Sequence, residues 1–167
     1  MIDFDNITIK QAIAYYREAA VKRHENVSGH GFSWQAEAVK HLSIAHSLGM
    51  TGAVALLAVP NLGTLWLLAP IILFFGGLVL VLIGMRYAAA GYFDRASKIT
   101  SLISNVDKLN VPGNEHAALK YAMQNIRSDP KDGQEKLDLG LYLAYSSGAS
   151  LILGAISLVA IIVRHGI

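Results

Sequence analysis

Two long stretches of this chain carry no formal charge. Residues 41–85 contain no Asp, Glu, Lys or Arg, and neither do residues 139–163. A helix crosses the roughly 30 Å hydrocarbon layer with about 20 apolar residues. The first stretch, roughly 45 residues, has room for two such spans and the second for one. Lipid offers no hydrogen-bond partner to a backbone, so a spanning segment of this kind must be helical. The pattern therefore predicts an all-α, polytopic integral membrane protein. Its first two spans, about Leu42–Val59 and Thr64–Met85, form a hairpin through the turn Pro60-Asn61-Leu62-Gly63. The third span is Leu139–Val163.

The flanking segments, residues 1–40 and 86–138, read as cytoplasmic helices, with residues 164–167 as a short outer tail. Thr8 and Gln11 match a capping box. Ile9, Ile13, Tyr16 and Ala20 then share one helical face. That face suits either an anionic membrane surface or packing against the long loop. Asn26–Gly31, with two glycines and a serine, predicts a break before a helix from Ser33. Helix continues beyond Arg86 to about Val106, and Val111-Pro112-Gly113-Asn114 ends it. A last amphipathic helix covers Glu115–Arg127. Its Leu119, Met123 and Ile126 are candidate docking residues for a cytoplasmic partner. A turn cluster, Ser128–Gly133, leads into the third span.

Charge sets the expected orientation. Of 14 Lys and Arg residues, five precede the first span, eight lie between the second and third, and only Arg164 follows. Positive residues mark the cytoplasmic side, so the N-terminus and long loop face inward and the C-terminus outward. The net charge of +2 is too small to point to nucleic acid. With no cysteine, disulfides and thiolate chemistry are excluded. The polar first 35 or so residues predict no cleavable signal.

Helices in lipid associate through small residues. Ala45, Gly49 and Ala53 form such a strip, as do Gly77 and Gly84, and Gly140, Ala144, Gly148 and Gly154. Ser146, Ser150, Ser157 and Arg164 lie along one line of the third span. They are candidates to line a pore, or each serine bonds a carbonyl one turn back. His46, inside the first span, needs a hydrogen-bond partner and is a candidate pH-sensitive group. Glu37 and His41, spaced i and i+4, are a weak metal-binding pair beside the reading of a simple ion pair. No phosphate-binding or nucleophile-elbow motif is present. The residues imply neither an enzyme nor a cofactor.

The stretch AHSLGMTGAVALL (Ala45–Leu57), the short turn and FFGGLVLVLIGMRYAAAGY (Phe74–Tyr92) resemble small bacterial inner-membrane proteins of three spans. The resemblance covers roughly half the chain and implies a bacterial or phage origin, but no residue roles. The expected function is non-enzymatic: self-association in the membrane as a homo-oligomer, with a pore-forming or membrane-effector role of lysis or defence type. The alternatives are an accessory subunit of a larger membrane complex and a metal-binding or enzymatic membrane protein.

Overall fold

The computed structural model describes residues 8–60, 64–126 and 131–165, without the side chains of residues 30–32, 34 and 64. Every regular element among them is helical. α1 (Ile9–Asn26) runs through a π-helical turn (Val27–Gly31) into α2 (Phe32–Ala55), which closes in a 3-10 turn (Leu56–Ala58). α3 (Thr64–Leu109), α4 (Glu115–Asn125) and α5 (Gln134–His165) follow. Three stretches, Gln35–Ala58, Leu65–Leu109 and Gln134–His165, are long and apolar enough to cross a membrane. Residues 61–63 of the expected hairpin turn, residue 127 at the end of the expected last amphipathic helix and residues 128–130 of the expected turn cluster lie outside the described residues.

The break expected at Asn26–Gly31 is a π-helical turn instead. Glycine weakens a helix by only about 1 kcal/mol relative to alanine, which does not stop one held by packing. The Val27 amide is shared between the carbonyls of Arg23 and His24. The Ser28 hydroxyl donates to the His24 carbonyl at 2.8 Å.

The chain divides into two units. One joins Met1–Phe32 to Ala90–Glu135. Its core is a three-helix arrangement of α1, the C-terminal part of α3, and α4. Ile13 and Ala20 meet Ile99, Leu102 and Val106, and Ala118, Ala122 and Ile126 close the set. Ile9 and Tyr16 pack against that core, so the apolar face of α1 lies on protein. The Thr8–Gln11 capping box starts the helix. Arg23 caps the end of α4 by donating to the Ile126 carbonyl at 3.0 Å. Arg17 pairs with Asp107 at 2.9 Å, and this bond raises the guanidinium pKa above its ordinary value. Both partners are about half exposed, so the pair contributes about 0–1 kcal/mol. The linker into α5 reaches α3 at two glycines. Gly133, at φ 77°, lies so close to the Gly91 carbonyl that a side chain would collide with it.

The other unit comprises Ser33–Ala89 and Lys136–Ile167. Buried positions on its part of α3 are Leu67, Pro70, Phe74, Gly77, Val81, Gly84 and Ala88. They alternate three and four residues apart, a heptad seam. On α5, Gly140, Ser147, Gly154 and Ile161 are buried at seven-residue steps. On α2, His46 and Ala53 are buried seven apart. A 3.5-residue repeat keeps such seams in contact through a left-handed supercoil. Large apolar residues off the seam, including Leu48, Leu65, Ile72, Ile152 and Val163, are exposed.

The core of the first unit makes a direct prediction. Ile13→Ala should cost about 2–5 kcal/mol and speed proteolysis of α1 and α4 in the full-length protein. Met123→Ala, at an exposed site, should leave the cleavage rate unchanged.

Candidate functional site

The polar centre of the second unit lies on its seam. His46 and Ser147 are both fully buried. His46 Nε2 lies 2.8 Å from Ser147 Oγ, and Ser147 Oγ donates to the Gly77 carbonyl, also at 2.8 Å. A serine has one proton. With that proton directed at Gly77, Ser147 accepts from His46, so the imidazole carries its hydrogen on Nε2. Nδ1 is then a bare lone pair, and no protein group among the described residues reaches it. One turn further along α5, Ser150 donates to the Leu73 carbonyl at 2.5 Å. Two α5 hydroxyls thus hook successive turns of the α3 backbone.

Glycines make room for the rings. A Cβ on Gly77 would fall within the His46 imidazole. Phe74 fills the corresponding space at Gly49 on α2 and at Gly154 on α5. The two rings meet edge to face, 6.3 Å between centroids. Toward Ala88, the α3 and α5 backbones touch at Gly84 and Gly140: a Cβ on Gly140 would stand 2.8 Å from the Gly84 carbonyl oxygen.

The other sequence candidates are distributed as follows. Ala53 is buried on the seam, and Ala144 neighbours Gly84. Ala45 falls one residue off the seam register. Gly148 has no neighbour within 4 Å of where a Cβ would stand. Ser146 and Ser157 donate to the carbonyls of Tyr142 and Leu153 on their own helix. Arg164 lies over the Trp66 ring, 4.7 Å from its centroid. Glu37 and His41 approach to 3.7 Å on an exposed surface, where Glu37 also faces Lys40 at 3.9 Å. That is ion-pair geometry. No group of three or more His, Cys, Asp or Glu side chains that could hold a metal occurs among the described residues.

The docking face of α4 needs correction. Ile126 is core, at 2% exposure, and Leu119 packs against that core. Only Met123 of the three is exposed. The apolar face serves the chain's own three-helix unit before any partner.

Sequence reasoning missed Ser147 and Phe74. The serine line drawn through 146, 150 and 157 passes one residue from the buried hydroxyl. The seven-residue spacing from Gly140 through Ser147 to Gly154 was the available signal.

Comparison with protein-family models, with curated proteins and with solved structures finds no match.

Gly77 and His46 should be energetically coupled. Gly77→Val overpacks the seam and should cost about 1–3 kcal/mol in reversible unfolding from bicelles. Adding His46→Ala should recover part of that loss, because it removes the colliding ring. Purely additive effects would show that the ring does not occupy this space.

Proposed function

We propose that this chain is a three-span integral protein of a bacterial inner membrane that acts by association with copies of itself. Three half-buried mid-helix glycines carry this reading. Gly52 on α2, Gly76 on α3 and Gly148 on α5 have open space where a side chain would stand. No described residue stands at the Cβ position to offset the cost, as each weakens its helix by about 1 kcal/mol relative to alanine. In lipid, such positions let another helix approach closely. The uncovered apolar surface beside Gly148, with Ile152, Ile156 and Val159, extends the same opportunity along α5. Catalysis has no comparable support: among the described residues the buried titratable group is His46, which meets a serine, a phenylalanine and a glycine.

Two finer versions of this reading differ in support. A hydrophilic pore along Ser146, Ser150 and Ser157 loses ground because all three hydroxyl protons are already engaged with carbonyls. Arg164, the fourth member of that line, is engaged with Trp66. The accessory-subunit reading loses Leu119 and Ile126 to the chain's own core. The topology we propose has the N-terminus and residues 86–138 in the cytoplasm and the C-terminus outside, supported by eight of 14 cations in that one loop.

Single-molecule photobleaching of labelled protein in dilute bilayers tests association. Dimers or larger assemblies are expected, and Gly148→Leu should weaken them about tenfold, or about 1.4 kcal/mol. Monomers at every density would remove the reading.

Topology has a clean assay because the chain lacks cysteine. A single cysteine at Met123 should resist an impermeant maleimide in intact cells, and one at His165 should react. The reverse pattern would overturn the orientation.

A further inference from the structure

We propose that the His46–Ser147–Gly77 node is a proton-operated latch that holds α5 on the α2–α3 pair when His46 is neutral and releases it when His46 is protonated. The argument begins with the hydrogen-bond inventory. Neutral His46 donates through Nε2 to Ser147, whose own proton is committed to Gly77. That chain of donors is complete with the imidazole uncharged. Nδ1 is buried and has no partner among the described residues.

A proton taken from the aqueous phase can add only at Nδ1. It creates a second N–H donor with no acceptor and places a positive charge in the seam. Uncompensated burial of a charge is far costlier than burial of a neutral polar group. The seam cannot supply an acceptor by a small shift. Gly77 already lies against the ring, with the space of a Cβ filled by imidazole atoms, and Phe74 closes another side edge-on. A tightly packed interior converts such a misfit into separation of elements rather than gradual deformation.

No charged side chain among the described residues acts on the node. From α3 the node meets Phe74 and Gly77, and from α5 it meets Ser147; none of these titrates near neutrality. The closest charged side chains along the three helices are Lys40 on α2, Arg86 on α3 and Asp138 on α5. Gly77 is nine residues from Arg86, about 13 Å along the helix. Lys40 is six residues from His46, about 9 Å. Tyr142 and Tyr145 are exposed. His41, one turn away on α2, is largely exposed and faces Glu37. The other described histidine of these helices, His165, stands exposed at the far end of α5. The latch does not depend on self-association, since all its groups belong to one chain.

The test uses the full-length chain in liposomes. Cysteines replace exposed Leu82 on α3 and Leu141 on α5 and carry spin labels; no native cysteine competes. Pulsed electron resonance reports the label distance between about pH 8 and about pH 5, the interval in which imidazole ordinarily changes charge. A single short distance is expected at the upper end, with a longer population growing as pH falls. His41→Gln should leave that transition in place. His46→Gln, whose amide can still donate to Ser147 but does not titrate, should abolish it and hold the short distance throughout. No transition in the wild-type background, or one that survives His46→Gln, overturns the latch. If His46→Gln fails to assemble at any pH, nitrogen NMR of histidine-labelled wild-type protein decides. One imidazole must change from the Nε2–H tautomer to the doubly protonated form at the pH of the distance change. Protonation without separation, or separation without protonation, refutes the proposal.

Discussion

Helices that sit in lipid gain little by exchanging lipid contacts for apolar contacts with each other. They hold together by close approach, shape and the few hydrogen bonds they can make. The second unit of this chain has the kinds of contact that this constraint favours. Gly84 and Gly140 bring two backbones together. Gly49 and Gly154 make the space that Phe74 fills, and Gly77 makes the space for His46. Ser147 and Ser150 then bond the α3 backbone directly. Each of these contacts depends on the heptad register that places small residues opposite rings. A bulky residue at any of those glycines would separate the helices and leave the serine hydroxyls without their partners.

The first unit obeys different energetics. Ile13, Ile99, Leu102, Val106 and Ile126 form an ordinary apolar core. Its periphery carries Arg17 with Asp107 and Lys22 with Glu18. The hydrogen bond of the second pair holds Glu18 below its ordinary carboxylate range and Lys22 above its ordinary value. These exposed pairs position side chains more than they stabilise the fold. α3 contributes to both units as one 46-residue helix, with a glycine-rich heptad seam in one part and an apolar core in the other.

Charge distribution made the long helices legible in the sequence. A charge-free run of roughly 45 residues has few structural solutions. Local chemistry made α1 legible, because Thr8 and Gln11 announce its start and the Ile9, Ile13, Tyr16, Ala20 periodicity marks the buried face. The π-helical turn at Val27–Gly31 was not legible. Glycine lowers helix stability but does not dictate a break, and packing of α1 decided the outcome. The node was half legible. His46 could be seen to need a partner, but Ser147 could not be singled out. On a helix that is apolar all round, hydrophobic periodicity does not separate the lipid face from the helix-facing one. Small-residue spacing does, but only when read in sevens. The α4 face was misread because an apolar stripe does not say whether its own chain or a partner will cover it.

Backbone hydrogen exchange of the protein in lipid bilayers tests the central claim that three helices lie within lipid while α1 and α4 meet water. Amides of residues 42–58, 65–85 and 139–163 should remain unexchanged for days. Those of α1 and α4 should exchange within minutes to hours through opening of the small core. Rapid exchange across any one of the three apolar stretches would contradict the account.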